Sequence, residues 1–595
     1  MSFAQQHPYN SSAMNIFGNL GNTLRKNSWP LFLSMLLPTF TISNCVMAAE
    51  QVNTSYLALK ISIPISALES YAKSGIIDDK IAKYYQYIPP DKLQKLRQIL
   101  LQRILISPSV AAQFLNSPQG EFFLQRLTRA ITNKSHSSQA EITNLRQALI
   151  AACAEPEGLN LLNLLRKYPD SNINIDLAAT WQISQQLQTI IDDTKKAIAL
   201  IQQEAKKEAI QQSSVANIPH LSSLANTTIT KAKKQTITFF DPQRHRQLVT
   251  DIYIPDLPHP APVIIISHGL GLDSSNFRYL ADHLASHGFA VIIPNHPPQN
   301  SSLSQYSQQQ ILASSEFKDR PLDIKYILDQ LELNPPFHQH LNLQQVGILG
   351  QSFGGYTALA LAGAKINFKQ LKQDCHPQKL KNSWNMSLLF QCRALELSDH
   401  RNNNLRDPRI KAAIAINPIS SSIFGKAGLN EIKTPIMIFS SSKDTVAPAL
   451  SEQILPFSWI NHAQKYLVIL VGATHFSAIG NSNPQSKQLP LPPEMVGNAW
   501  ETHHYIKTLS LPFFQGYVSE KPQYLAYLNS AYAQKIAHKS LELNLITSLN
   551  DINIKSSHNI TYKKQNSPIP YIVKFGFWML DIGISIIHVL TFSHR

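Results

Sequence analysis

The apolar run Val346-Gly347-Ile348-Leu349 leads into Gly350-Gln351-Ser352-Phe353-Gly354-Gly355, and a segment of small and apolar residues follows. A serine held in Gly-x-Ser-x-Gly between a strand and a helix is placed for nucleophilic attack. The sharp turn lifts its hydroxyl clear of the backbone, and Gly350 and Gly354 stand where side chains would collide with neighbouring elements. The helix that follows aims its N-terminal amides at the same point, where negative charge would develop.

Such a serine needs a base and an acid to orient that base. The α/β-hydrolase order is serine, acid, histidine, each just beyond a strand end. Downstream, Ile436–Ser440 reads as a strand with Ser441-Ser442-Lys443-Asp444 after it. Leu467–Val471 reads as the next, followed by Gly472-Ala473-Thr474-His475-Phe476. Asp444 and His475 are therefore the expected acid and base. Glu431 precedes its strand and would lie at the wrong end of the sheet. The expected oxyanion donors are the backbone N–H groups of Phe353 and Leu270, the latter in the loop Ser267-His268-Gly269-Leu270-Gly271. In this reading His268 supports that loop rather than serving as a second base.

These residues require a parallel sheet to carry them. The runs Val263–Ser267, Ala290–Pro294, Val346–Leu349, Ala412–Asn417, Ile436–Ser440 and Leu467–Leu470 are continuously apolar, as strands buried on both faces are. Helical segments at Phe277–His287, Pro321–Leu333 and Tyr356–Ala364 alternate with them, which is an α/β pattern. The reading predicts an α/β-hydrolase fold over 220–540, with 365–409 as a lid-like insertion. Ahead of it, 50–219 shows helical spacing, as in Asp91–Leu101, Phe122–Ile131, Ile142–Ala151 and Trp181–Ala209, and is expected to be an all-α module. Ser213–Thr230 has the composition of a linker.

The 595 residues carry 53 Lys+Arg against 38 Asp+Glu, a net charge of +15, with only 15% charged residues. The bases are scattered and no nucleic-acid motif accompanies them, so nucleic-acid binding is not expected. No metal-ligand spacing stands out, and no metal or organic cofactor is implied. Residues 1–49 contain Arg25 and Lys26, the apolar stretch Trp29–Leu37 and the small-residue exit Val46-Met47-Ala48-Ala49. This is the layout of a secretory signal, with an uncleaved anchor as the alternative. Export to the periplasm or medium is the expectation. There Cys375 and Cys392 could pair to close the insertion, and in a reducing compartment they would be thiols. The tail 541–595 includes an apolar segment, 571–592, either a span or, given Lys574, Asp581 and His588 along one stripe, an amphipathic helix on a membrane surface.

The motifs Val263–Gly271, Leu284–Val291, Asn295-His296-Pro297, Arg320-Pro321-Leu322-Asp323-Ile324 and Gly350–Gly355 together resemble the platelet-activating factor acetylhydrolase family and its dienelactone-hydrolase-like bacterial relatives. The resemblance covers about residues 235–530. It implies a serine esterase acting on phospholipids or other esters with short or oxidised acyl groups. The animal enzymes of that family take their acid from the sixth strand's end, where this chain has Asn417-Pro418, so Asp444 is the natural replacement. The N-terminal segment from Ile63 to Gly75 resembles a helical module of unknown function found ahead of bacterial hydrolases. The expected function is thus an exported serine hydrolase of carboxylic esters, on small-molecule or lipid substrates. A hydrolase of thioesters, polyesters or peptides, or a non-catalytic binder on the same scaffold, is the alternative.

Overall fold

The computed structural model describes residues 49–56, 59–77, 79, 82, 90–104, 106–116, 118–131, 137–212, 230–297, 313–400, 404–481 and 493–549. The expected leader, apart from Ala49, the expected linker up to residue 229 and the apolar segment 571–592 lie outside the described residues.

Nine strands form the main sheet: β4 (Ala232–Asp241), β5 (Arg246–Pro255), β6 (Ala261–Ser267), β7 (Ala290–Asn295), β8 (Leu341–Gln351), β9 (Ile410–Ile416), β10 (Ile436–Lys443), β11 (Lys465–Thr474) and β12 (Glu542–Ile546). They run in the order β12-β11-β10-β9-β8-β6-β7-β5-β4. The six strands β6 to β11 are mutually parallel, and β5, β4 and β12 add antiparallel edges. β12 lies beyond residue 540, where the tail was expected to begin.

The sheet is covered on both faces, which is why its strands read as unbroken apolar runs. Ile265, Ile348, Ile438 and Leu467 point to one side, under the helices Glu316–Glu332 and Phe353–Leu361. Ile264, Leu349, Met437, Phe439 and Val468 point to the other, under Arg278–Ser286 and Ala499–Tyr517. Parallel strands put the loops after β6, β8, β10 and β11 at one carboxyl edge, where sheets of this kind bind ligands.

The N-terminal part departs from the all-α expectation. β1 (Gln51–Tyr56), β2 (Leu59–Pro64) and β3 (Asn172–Ile175) form a small sheet in the order β2-β1-β3. β3 completes it from about 120 residues away, a pairing that local periodicity does not carry. Helices including Ile65–Ser74, Pro90–Leu101 and Ser138–Cys153 bury their apolar faces against this sheet and one another. The helix Leu177–Gln212 then runs 36 residues. Its Ala197, Ile198, Ile201 and Ala205 belong to the core of the nine-stranded unit, and Glu208 accepts from the Ser530 hydroxyl and the Thr547 amide.

Three histidines, His268, His283 and His296, are buried and His503 is half-buried, and in each desolvation outweighs whatever favours the charged form. Burial depresses His283 to about 3 and His503 to about 4. Burial and Arg320 depress His296 to about 4, Asp323 opposing them, and hold His268 well below the usual value. Unfolding returns each to about 6.5, so the unfolded chain binds more protons between that pH and about 4. Stability is therefore present above pH 6.5 and is lost as pH falls towards 4. Each of His296 and His503 contributes on the order of 3 kcal/mol over that window. Urea titrations at pH 7.5, 6 and 5 should give steadily falling midpoints; a flat midpoint would contradict the assignment.

Candidate active site

Ser352 stands at the end of β8 with φ 56° and ψ −115°, a left-handed conformation costing about 1–3 kcal/mol. Its amide donates to the Ile416 carbonyl on the neighbouring strand, which helps hold the turn. A Cβ at Gly354 would overlap the Ser267 carbonyl, and one at Gly350 would overlap the Gly354 carbonyl. Phe353 opens the following helix, its ring stacked on Tyr356 and edge-on to Phe317.

Asp444 and His475 converge on this serine. His475 Nε2 lies 2.9 Å from Ser352 Oγ, and Nδ1 lies 2.6 Å from Asp444 Oδ2. A carboxylate accepts only, so the ring N–H sits on Nδ1 and Nε2 presents its lone pair to the serine. The other carboxylate oxygen, Asp444 Oδ1, accepts the Val446 and Ala447 amides at 2.9 and 2.7 Å. Both acidic oxygens are thus committed, and the side chain cannot swing away from the imidazole. The backbone of His475 is held as well: its carbonyl accepts from Gln351 Nε2 and, at 3.4 Å, from Asn417 Nδ2. Asn417, where the resemblance would have put an acid, instead braces the end of β10 and the loop after β11. Its Oδ1 takes the Ser441 amide and its Nδ2 reaches the Ser441 hydroxyl.

Leu270, 37% exposed, lies in the loop after β6, and that loop rests on a buried ionic network. Arg320 Nη1 donates to the His268 carbonyl at 2.6 Å while its guanidinium covers the Phe353 ring. His268 Nδ1 donates to the Gly269 carbonyl, and its Nε2 accepts the His296 amide. His296 bridges Ser267 Oγ and Asp323 Oδ2. Asp323 also receives Arg246 through two nitrogens, at 2.8 and 2.7 Å, and Arg244 at 2.7 Å. Burial raises the Asp323 carboxyl, but the hydrogen bonds from His296 and Arg246 outweigh it and leave it below the usual range. His268 is thus a support for the loop, as its place in the sequence suggested. The bonds that join its separate segments span 27 to 79 residues, and no spacing rule joins them. Arg320→Leu would leave Glu316, paired with Arg320 and Arg246, partly uncompensated inside the protein. It is expected to cost about 3–5 kcal/mol, read from urea unfolding. A loss below about 1 kcal/mol would show that the network does not brace the fold.

Cys375 and Cys392 are joined as a disulfide within the 365–409 insertion. Beside them, Gln391 accepts the Ser422 and Ile423 amides and donates to Glu452. Glu452, fully buried, also accepts from Asn385, from the Ser420 amide and from the Ser421 hydroxyl. Sequence reading did not single it out, because a lone glutamate in an apolar segment has no signature. Among the described residues no cluster of His, Cys, Asp or Glu could hold a metal ion, and no helix is long and apolar enough to cross a membrane.

The sheet order, the turn at Ser352 and the placement of the three loops decide the architecture. The fold is that of the α/β-hydrolases. Residues 262–388 of the hydrolase unit match the family described as alpha/beta hydrolase fold. Residues 48–176 match one described as alpha/beta hydrolase of unknown function (DUF1400), and this match falls wholly ahead of the nine-stranded sheet. Among curated proteins, Chlorophyllase-1, chloroplastic, from Citrus unshiu and from Citrus sinensis is each 30% identical over 104 residues. That stretch is 17% of this chain and 28% of each relative, so the chain spans under a third of the curated relatives it matches.

Proposed function

We propose that this hydrolase cleaves carboxylic esters through an acyl-enzyme on Ser352. The observation that carries the reading is the hydrogen-bonded chain Ser352–His475–Asp444 at the carboxyl edge of the sheet, 2.9 and 2.6 Å between partners. Ser352 Oγ attacks the ester carbonyl as His475 Nε2 takes its proton. The amides of Phe353 and Leu270 face the oxyanion, each such donor being worth about 3–4 kcal/mol in the transition state. Collapse of the tetrahedral adduct breaks the ester C–O bond, and His475 returns the proton to the departing alcohol. Water, deprotonated by His475, then attacks the acyl-serine and releases the acid and the free hydroxyl.

The match to an enzyme named chlorophyllase supports an ester rather than another acyl bond, and the acetylhydrolase motifs favour a short acyl group, including those of phospholipids. Export is part of the reading. It is supported by the basic-flanked apolar stretch before Ala49 and by the Cys375–Cys392 disulfide, a bond that persists in oxidising compartments. Surface contact with anionic lipid is the reading for the basic net charge. The test is fluorophosphonate labelling of the full chain, followed by peptide mapping, beside a p-nitrophenyl ester series from acetate to palmitate. Label on the Ser352 peptide together with ester turnover is expected. A chain that turns over no ester and takes no label at Ser352 is a binder on a hydrolase scaffold.

A further inference from the structure

The N-terminal module reaches the site through an aromatic cluster. Phe122, Phe123, Ile183 and Leu187 from the module pack with Trp384 and Met386 of the insertion and with Val446, and Phe476 packs against this cluster. Val446 follows Asp444 by two residues and gives it an amide. Phe476 follows His475, and its ring stands edge-on to the imidazole at 5.3 Å. The cluster therefore ends on the acid loop and on the base loop together.

Polar bonds fix the same contact. Arg126 donates to the Ser383 and Leu380 carbonyls, at 2.7 and 3.2 Å, while its guanidinium lies over the Phe122 ring. Arg129 donates to the Lys381 carbonyl, and Trp384 Nε1 donates to Gln186 Oε1 at 2.9 Å. The insertion in turn holds the acid loop, through the Ser387 amide on the Val446 carbonyl. Three of the module's bonds end on backbone carbonyls, so the module grips the shape of the insertion, and the insertion carries that grip to Asp444. Within this group Phe122, Phe123, Trp384, Met386 and Val446 are buried, whereas Phe476 is only half-buried, as is Ser352. Phe476 is thus a partly exposed member of the cluster that lies directly against His475, the residue bonded to Ser352.

We propose that the N-terminal module is a fixed part of the substrate site. With Trp384 it backs Phe476 to form an apolar wall along which an alkyl chain of the ester lies. This rests on the esterase reading and adds to it a substrate class: esters bearing an unbranched apolar chain, on the acyl or the alcohol side. A flexible chain laid on such a wall gains up to about fourfold in kcat/KM per methylene, the factor that full burial of one CH2 gives.

The full-length protein is assayed with two series, p-nitrophenyl acetate to hexanoate and ethyl to hexyl acetate. The variants are Phe476→Ala, Trp384→Ala and Phe123→Ala, with Leu333→Ala, at an exposed site, as control. Wild type and control should show kcat/KM rising with chain length in one series, which identifies the side of the ester that carries the chain. In the three variants the ratio of longest to shortest ester should fall at least about tenfold. A purely structural cluster would lower all esters alike and leave that ratio unchanged, and this result would overturn the proposal. So would a wild type with no rise in either series. If Phe123→Ala fails to fold, Phe123→Leu takes its place. A wild type that never labels at Ser352 removes the esterase reading itself, and the wall with it; labelled protein with unchanged ratios removes the wall alone.

Discussion

Ser352→Ala is expected to lower kcat for ester hydrolysis by about 10⁴- to 10⁶-fold, to the level that the oxyanion donors and binding sustain alone. In the proposed mechanism the Oγ is the atom that becomes acylated, and it is the hydroxyl that stands 2.9 Å from His475 Nε2. The change should leave the fold intact. Serine already bears φ 56° at this position, alanine meets the same backbone restriction, and the amide bond to Ile416 does not involve the side chain. Steady-state kinetics, active-site titration with a fluorophosphonate and a thermal melt distinguish the outcomes. A melt within a few degrees of wild type with no burst and no label is the expected result. Retention of more than about 1% of kcat would mean that another group is the nucleophile.

Much of this site can be read from the chain because each part of it sits beside a strand that is buried on both faces. Continuous apolarity marks β6 to β11, and the residues after each strand end are then the ones at the carboxyl edge. Glycine types at 350 and 354 mark the turn because any Cβ there overlaps backbone. What cannot be read depends on contacts between distant segments. β1 and β3 pair across about 120 residues, and four to six residues of alternating character are too few to outweigh the helical spacing around them. Arg246 and Asp323 meet across 77 residues, and Arg320 reaches the loop after β6 across 52. In sequence each is an ordinary charge. Asn417 stands out in the chain only for not being an acid, and its use as a brace is visible only in its bonds to Ser441 and His475. The helix carrying Phe122 and Phe123 is legible as amphipathic, but its partner, Trp384, lies about 260 residues on, inside an insertion.

The second large effect concerns the acid. Asp444→Asn is expected to reduce kcat by about 10⁴-fold with little change in KM, the size known for this substitution in a serine protease triad. The asparagine Oδ1 can still accept the Val446 and Ala447 amides, so the loop keeps its place. Its Nδ2 then faces His475 Nδ1 at the position of the present 2.6 Å bond, and two N–H donors cannot share it. The imidazole answers by moving its proton to Nε2, which turns a donor towards Ser352 and leaves no lone pair to receive the serine proton. Supplying a carboxylate at the neighbouring strand end should not repair this. Asn417 Nδ2 points at the Thr474 and His475 carbonyls, so Asn417→Asp would set an anion against two carbonyl oxygens rather than beside the ring. The double variant Asp444→Asn with Asn417→Asp is therefore expected to be no faster than Asp444→Asn, and less stable by about 1–3 kcal/mol for the bonds it loses. Recovery to within about tenfold of wild-type kcat in the double variant would show that the imidazole can be oriented from either strand end. The Asp444–His475 bond would then not be what fixes the tautomer.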